Sequence, residues 1–241
     1  MAHGTLYLIP APLGEGELAH ILPEAVRQQA AGLRHFVVEQ AKTARAYLKQ
    51  LGVTVAIQEL AIAELNEHTK PGEIDALLAP LLAGHDVGLL SEAGCPAIAD
   101  PGALLVRLAH ERGVRVMPLV GPSSILLALM ASGANGQRFS FHGYLPVDAA
   151  DRVRKLRELE RRSSEFDEAV AFIETPYRNN QMLGTLLDTL KPATLLCAAS
   201  ELTTANEIIV SRRVGEWPKA RPDLHKHPTV FVLYAGQDRR R

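Results

Sequence analysis

The sequence predicts an α/β fold. Short apolar runs of strand length alternate with longer segments of helical periodicity. Many of the runs end in turns of glycine, proline and small polar residues. Composition agrees with a large core: 47% of the 241 residues are hydrophobic and 22% are charged, which excludes a disordered chain.

The elements follow in order. Leu6 to Ile9 is an apolar run stopped by Pro10, a buried strand feeding a loop. Residues 35–40 form a second strand. Residues 43–52 read as a helix, with Ala44, Tyr47, Leu48 and Leu51 on one face and Gly52 as its stop. Residues 54–62 read as a strand, and residues 71–84 as an amphipathic helix ending at Gly84. Residues 86–91 form a buried strand. Asp100 is expected to cap a helix that begins at Pro101 and runs to Gly113. A strand at 114–121 leads into the segment 122–133, apolar almost throughout and so expected to be a buried helix. Beyond it come a strand at 139–146, a highly charged helix at 151–163, a strand at 168–175 and a helix at 179–190. Residues 193–200 form a strand, 206–217 a strand and turn, and 229–236 a last strand. The character changes near residue 120, which suggests two lobes, 1–119 and 120–241.

Charge and motifs narrow the chemistry. Lys plus Arg is 26 and Asp plus Glu is 27, a net charge of −1, so no overall basic field points to a nucleic acid. A local patch is still possible: Arg152, Arg154, Lys155, Arg157, Arg161 and Arg162 share one helix, and Arg239–Arg241 end the chain. Glu158 and Glu160 on that helix favour a solvated face. The two cysteines, Cys95 and Cys197, form no paired motif and suit a reducing cytoplasm. No apolar run is long enough for a membrane helix, and the first residues do not read as a signal peptide. A P-loop, a G-x-G-x-x-G loop and a nucleophile elbow are all missing. The histidine pair in "HKHP" (225–228) reads as a surface turn rather than a metal site, and no metal is expected.

What stands out is the set of strand ends "LIPAPLG", "LLSEAGCP", "LVGPSS", "IETPYR" and "AASELT". Ligands of open α/β sheets bind at the carboxyl ends of strands. Ends built of small residues suit a ligand wrapped by backbone rather than gripped by charge.

The stretch "GLLSEAGCPAIADPG" (88–102), followed by "VRVMPLVGPSSILLALMASG" (114–133), resembles the tetrapyrrole methylase superfamily. Within it the chain is most similar to the bacterial branch that methylates a ribose 2′-hydroxyl of small-subunit ribosomal RNA. "FSFHGYLP" (139–146), "ETPYR" (174–178) and "ELTTANE" (201–207) follow in that branch's order. There are departures. Cys95 stands where threonine is usual, and Thr204 stands near a lysine-containing position. His227-Pro228 introduces the last strand in place of Gly-Glu.

The resemblance implies two α/β lobes with S-adenosylmethionine in the cleft between them, a homodimer, and the RNA of the 30S subunit as acceptor. It implies cofactor contacts at Leu13, Gly94, Cys95, Ala97, Ser123, Ser124, Thr175, Ser200, Pro228 and Thr229, mostly through backbone. A hydroxyl acceptor needs a base. The candidates are Glu92, Asp100, Glu174, Glu201 and Glu207, with Glu201 preferred. Arg178 is read as an acceptor-phosphate or structural anchor. The rival readings are a methyltransferase acting on a tetrapyrrole or other small molecule, and a non-catalytic S-adenosylmethionine-binding protein.

Overall fold

A computed structural model describes residues 2–236; the basic tail Arg239–Arg241 lies outside the described residues. The chain divides into two compact units between Ser123 and Ser124.

The first unit contains, in order, β1 (Thr5–Leu8), α1 (Leu18–Ile21), α2 (Glu24–Ala31), β2 (His35–Val38), α3 (Ala41–Leu51), β3 (Ala61–Glu64), α4 (Pro71–Ile74), α5 (Ala79–Leu82), β4 (Val87–Leu90), α6 (Gly102–Glu111) and β5 (Arg115–Pro118). Its sheet is wholly parallel, in the order β3-β2-β4-β1-β5. A parallel sheet needs cover on both faces, and strand alternation supplies two apolar surfaces. Phe36, Val38 and Leu90 face one core with Leu22, Val26, Ala30, Ala44 and Leu48 from α1–α3 and their flanks. Leu6, Val37, Val87 and Leu89 face the other, with Ile74, Leu78, Leu81, Leu105 and Ala109. Each fully buried leucine contributes roughly 1.5–3 kcal/mol.

Three sequence expectations change here. Residues 54–62 do not form one strand. Ile57–Glu59 is a 3₁₀ turn, and the strand starts at Ala61, where it pairs with His35. Val53, Val55 and Ile57 pack against the α2–α3 core instead, so burial produced the apolar run without strand pairing. The helix expected at 71–84 breaks into α4, a 3₁₀ turn at Asp75–Leu78, and α5. Pro80 lacks the N–H that would continue it and its ring crowds the preceding turn. Pro101 occupies the N-cap of α6 rather than its first helical position. The Asp100 carboxylate still accepts from Gly102 N at 2.7 Å, and also from Ala97 N at 2.9 Å. The helices α1 and α2 had no counterpart in the sequence reading.

The second unit contains α7 (Ser124–Ser132), β6 (Phe139–Tyr144), α8 (Ala149–Phe166), β7 (Ala169–Ile173), α9 (Asn179–Thr189), β8 (Leu195–Ser200), β9 (Ile208–Arg213) and β10 (Thr229–Tyr234). Its sheet runs β6-β7-β10-β8-β9, and only the β6–β7 pair is parallel. Leu156 and Leu159 of α8 meet Met182, Leu183 and Leu186 of α9 over Phe172 and Phe231. Asp148 caps α8 by accepting from Asp151 N at 3.0 Å. α7 is not the buried helix expected. Ala128, Leu129 and Ser132 are buried, but Leu126 is 49% exposed and Met130 78%. One face of α7 packs on its sheet, and the rest of its apolar surface lies open within the unit. Among the described residues no helix is long and apolar enough to cross a membrane.

Candidate functional site

In the first sheet β1 and β4 are parallel neighbours, but their connections leave in opposite directions. β1 leads to the α1–α3 face and β4 to α6 on the other. Diverging loops open a crevice at the strand ends, the topological switch point where such sheets bind ligands. Here the two loops are tied by backbone. Ala11 N donates to Gly94 O at 2.8 Å, and Gly94 N to Ala11 O at 3.0 Å. Gly94 has φ +72°, and a Cβ there would lie 3.3 Å from Leu13 Cδ2 and 3.7 Å from Pro122 O. Only glycine takes that conformation without strain. The Cys95 thiol donates to Pro122 O at 3.3 Å, and burial pushes its pKa up.

The turn continues through two left-handed alanines, Ala97 (φ 67°) and Ala99 (φ 61°). Such residues cost roughly 1–2 kcal/mol each, and the Asp100 carboxylate holds the turn in place from inside. Burial raises the Asp100 pKa, against the pull of the Gly102 and Ala97 N–H groups. Its bonds to Ala97 N and Gly102 N tie this side chain into the loop.

Beside this clamp lies a hollow of about 610 Å³, lined by Leu13, Glu15, Thr43, Tyr47, Ser91 and Glu92 among others, and by no lysine or arginine. Thr43 Oγ1 donates to Glu92 Oε1 at 2.5 Å. Tyr47 donates its hydroxyl to Pro10 O at 2.6 Å, and burial pushes the phenol above its ordinary range. Glu39 accepts from Glu92 N at 3.3 Å. Its pKa is raised by burial and by the charges of Glu92, Asp100 and Glu67, against the pull of the Glu92 N–H.

In the second unit β7 and β8 both run antiparallel to β10. Their carboxyl ends therefore meet its start, with Ile173 opposite Val230 and Ser200 opposite Thr229. This register brings Ser200, Glu201, Pro228 and Thr229 together. Thr229 Oγ1 donates to Ser200 Oγ at 3.0 Å, Ser200 Oγ to Pro228 O at 3.3 Å, and Glu201 N to Pro228 O at 3.0 Å. Arg178 and Thr175 belong to a neighbouring group. The buried Glu174 accepts from Arg178 Nη2 and from Thr175 N, both at 2.6 Å. Its other oxygen, Arg178 Nε and Asn179 Oδ1 are buried with no partner among the described residues. Glu207 supports the loop by accepting from Thr203 N at 2.9 Å. Ser123 closes the loop after β5, and Ser124 opens α7.

Residues 225–228 form the expected surface turn, with His225, Lys226 and Pro228 exposed, and within it His227 is the less exposed residue. It is half-buried, and its Nδ1 lies 3.2 Å from Glu201 Oε1. The two are 26 residues apart, and nothing in the local sequence announces the pair. It follows from β10 lying beside β8. Among the described residues no group of three or more His, Cys, Asp or Glu could hold a metal.

The charged helix α8 is mostly self-neutralised. Arg152 is buried and donates to Val147 O at 2.9 Å. Arg154 pairs with Asp151, Lys155 with Glu158 at 2.7 Å, and Arg162 with Glu168 at 2.7 Å. Arg157 and Arg161 have no ion pair among the described residues. With Lys191, Glu160 and Glu165 they line a hollow of about 480 Å³.

No family model matches the chain. It is 31% identical over 236 residues to ribosomal RNA small subunit methyltransferase I of Escherichia coli O157:H7, covering 96% of this chain and 78% of that protein. It is 32% identical over 242 residues to the Pseudomonas aeruginosa protein of the same name, covering 98% and 80%. Among solved structures, the methyltransferase CobJ superposes with a TM-score of 0.62 at 18% identity, over 97% of this chain and 94% of CobJ. The uroporphyrin-III-C-methyltransferase of Thermus thermophilus superposes with a TM-score of 0.54 at 18% identity, over 96% and 92%. These two establish the fold, that of the tetrapyrrole methylases. The sequence identities go further: the chain belongs to the ribosomal RNA small subunit methyltransferase I family, a family of methyltransferases.

Proposed function

We propose that the protein transfers a methyl group from S-adenosylmethionine to a ribose 2′-hydroxyl of small-subunit ribosomal RNA. The observation that carries the donor's identity is the hollow beside the Ala11–Gly94 clamp. Its volume suits a ligand of nucleoside size. Glu15 and Glu92 line it and no lysine or arginine does, which fits a cationic sulfonium and disfavours a phosphate-bearing donor. Leu13 lines that hollow. The further donor contacts we propose, Gly94, Cys95, Ala97 and Ser123 in the first unit and Ser124, Thr175, Ser200, Pro228 and Thr229 in the second, are not among the residues that line it.

The donor supplies an already activated methyl group. The protein's share is alignment, which can supply roughly 7–11 kcal/mol. The stiff loops serve that purpose, since the clamp, the Asp100 bracket and the left-handed alanines leave the first unit's backbone little freedom. Arg178 orders the loop after β7 through Glu174. It keeps 32% of its side chain exposed, enough to meet an acceptor phosphate. Glu201 serves the acceptor's proton. The relatives' name, together with the order of "ETPYR" and "ELTTANE", favours RNA over a pigment as acceptor. The protein would act in the cytoplasm as a homodimer.

Nucleoside mass spectrometry tests this reading. Undermethylated 30S subunits incubated with the protein and S-adenosylmethionine should yield one new 2′-O-methylated nucleoside. Methylation of a base instead, or an unchanged nucleoside profile, would overturn it.

A further inference from the structure

We propose that His227 is the catalytic base that takes the proton of the acceptor hydroxyl, and that Glu201 positions it. The inference rests on the methyltransferase reading above and names a group for a task that reading leaves to Glu201 alone.

The geometry gives the two residues different parts. Glu201 Oε1 faces His227 Nδ1 at 3.2 Å. A carboxylate at Nδ1 holds the ring's proton on that nitrogen and leaves a lone pair on Nε2. The Glu201 side chain is 20% exposed and the imidazole 43%, so the carboxylate is sheltered and the ring is open to a substrate. A base oriented by a sheltered carboxylate is the arrangement that activates hydroxyl nucleophiles in unrelated folds.

Both residues are fixed to the sheet end. Asn179 Nδ2 donates to His227 O at 2.6 Å, and Glu201 N donates to Pro228 O at 3.0 Å. Glu201 (φ 51°), Thr203 (φ 69°) and Lys226 (φ 65°) are all left-handed without being glycine. Backbone strain of this kind persists only where its surroundings impose it. The pair also adjoins Ser200, Pro228 and Thr229, the proposed donor contacts, and the acceptor hydroxyl must come close to the donor.

In the step itself the hydroxyl proton passes to Nε2 while the oxygen bonds to the methyl carbon. The carbon–sulfur bond breaks with its electron pair staying on sulfur. The imidazolium formed lies against Glu201 and later gives its proton to water. The other charges nearby are engaged elsewhere. Asp223 accepts from Asn180 Nδ2 and His225 N, Lys226 Nζ lies over the Tyr177 ring, and Arg178 pairs with Glu174.

Two measurements test this. Nitrogen-15 NMR of the ligand-free protein should show His227 with its proton on Nδ1, and Glu201→Ala should abolish that preference. In methyl transfer to 30S subunits, His227→Ala should lower kcat about 10²–10⁴-fold, with calorimetric affinity for S-adenosylmethionine within twofold of wild type. Added imidazole should restore at least tenfold of the loss, and His227→Asn should be as slow as His227→Ala with an unchanged KM. A proton on Nε2, a kcat within threefold of wild type, or a loss that imidazole does not rescue would overturn the proposal. A wild-type protein that transfers no methyl group would sink the methyltransferase reading itself, and the proposal with it.

Discussion

Gly94 is the most constrained point of the clamp between the loops after β1 and β4. Its φ of +72° and the 3.3 Å approach to Leu13 leave no place for a branched side chain. Gly94→Val should weaken S-adenosylmethionine binding by at least tenfold, about 1.4 kcal/mol, while the circular dichroism stays native. Unchanged affinity by calorimetry would mean the clamp does not border the donor. Asp100 makes a separate prediction. Burial raises its pKa despite its two N–H partners, so the native state holds the proton more tightly than the unfolded chain. Its contribution is therefore greatest below the unfolded aspartate range near ~3.9 and is lost as pH rises through the raised native value. Relative to Asp100→Asn, wild type should lose stability as pH rises from about 4, read as a narrowing or inverting difference in melting temperature. A difference that grows in favour of wild type would contradict this. The bond from Gly102 N to Asp100 was legible in the sequence because such contacts are local, although Pro101 takes the N-cap itself. The second partner of Asp100, Ala97, was not, because the left-handed turn that presents that N–H is set by packing. His227 was missed for a related reason: its partner lies across a strand pairing.

At the scale of elements, periodicity located α3 and its glycine stop. Gly52 is left-handed and its N–H returns to Leu48 and Lys49 carbonyls. Periodicity misled at 54–62 because an apolar run reports burial, and burial was achieved there by a 3₁₀ turn. It also misled at α7, where apolar composition was read as burial on every side. The charged helix α8 carries the next prediction. Four of its six cations are engaged within the protein, leaving Arg157 and Arg161 open beside Lys191. If they meet RNA, Arg157→Glu with Arg161→Glu should raise the KM for 30S subunits at least tenfold. It should also flatten the log–log salt dependence by about 2, the contribution of two phosphate contacts. Arg154→Glu should do neither. Equal effects of the two changes on KM would remove α8 from the RNA surface.

At the scale of the molecule, alternation of strands and helices was enough for the α/β class, whereas strand order was not readable. Insertion of β10 between β7 and β8 depends on antiparallel returns that leave no local signature, yet it builds the Ser200–Glu201–His227–Thr229 group. The exposed Leu126 and Met130 on α7 and Ile208 and Ile209 on β9 are the apolar surface a symmetric homodimer would cover. Light scattering should give twice the chain mass of 26.2 kDa, and Met130→Glu should shift the protein toward the single-chain mass. A single-chain mass for wild type at all concentrations would contradict the dimer. The central claim, transfer of a methyl group from S-adenosylmethionine to ribosomal RNA, is tested most directly with a donor labelled in its methyl group. The protein is offered undermethylated 30S subunits and uroporphyrinogen side by side at low salt. The account predicts label in the 30S RNA, diminishing steeply as salt rises, and none in the pigment; label in the pigment with none in the RNA would contradict it.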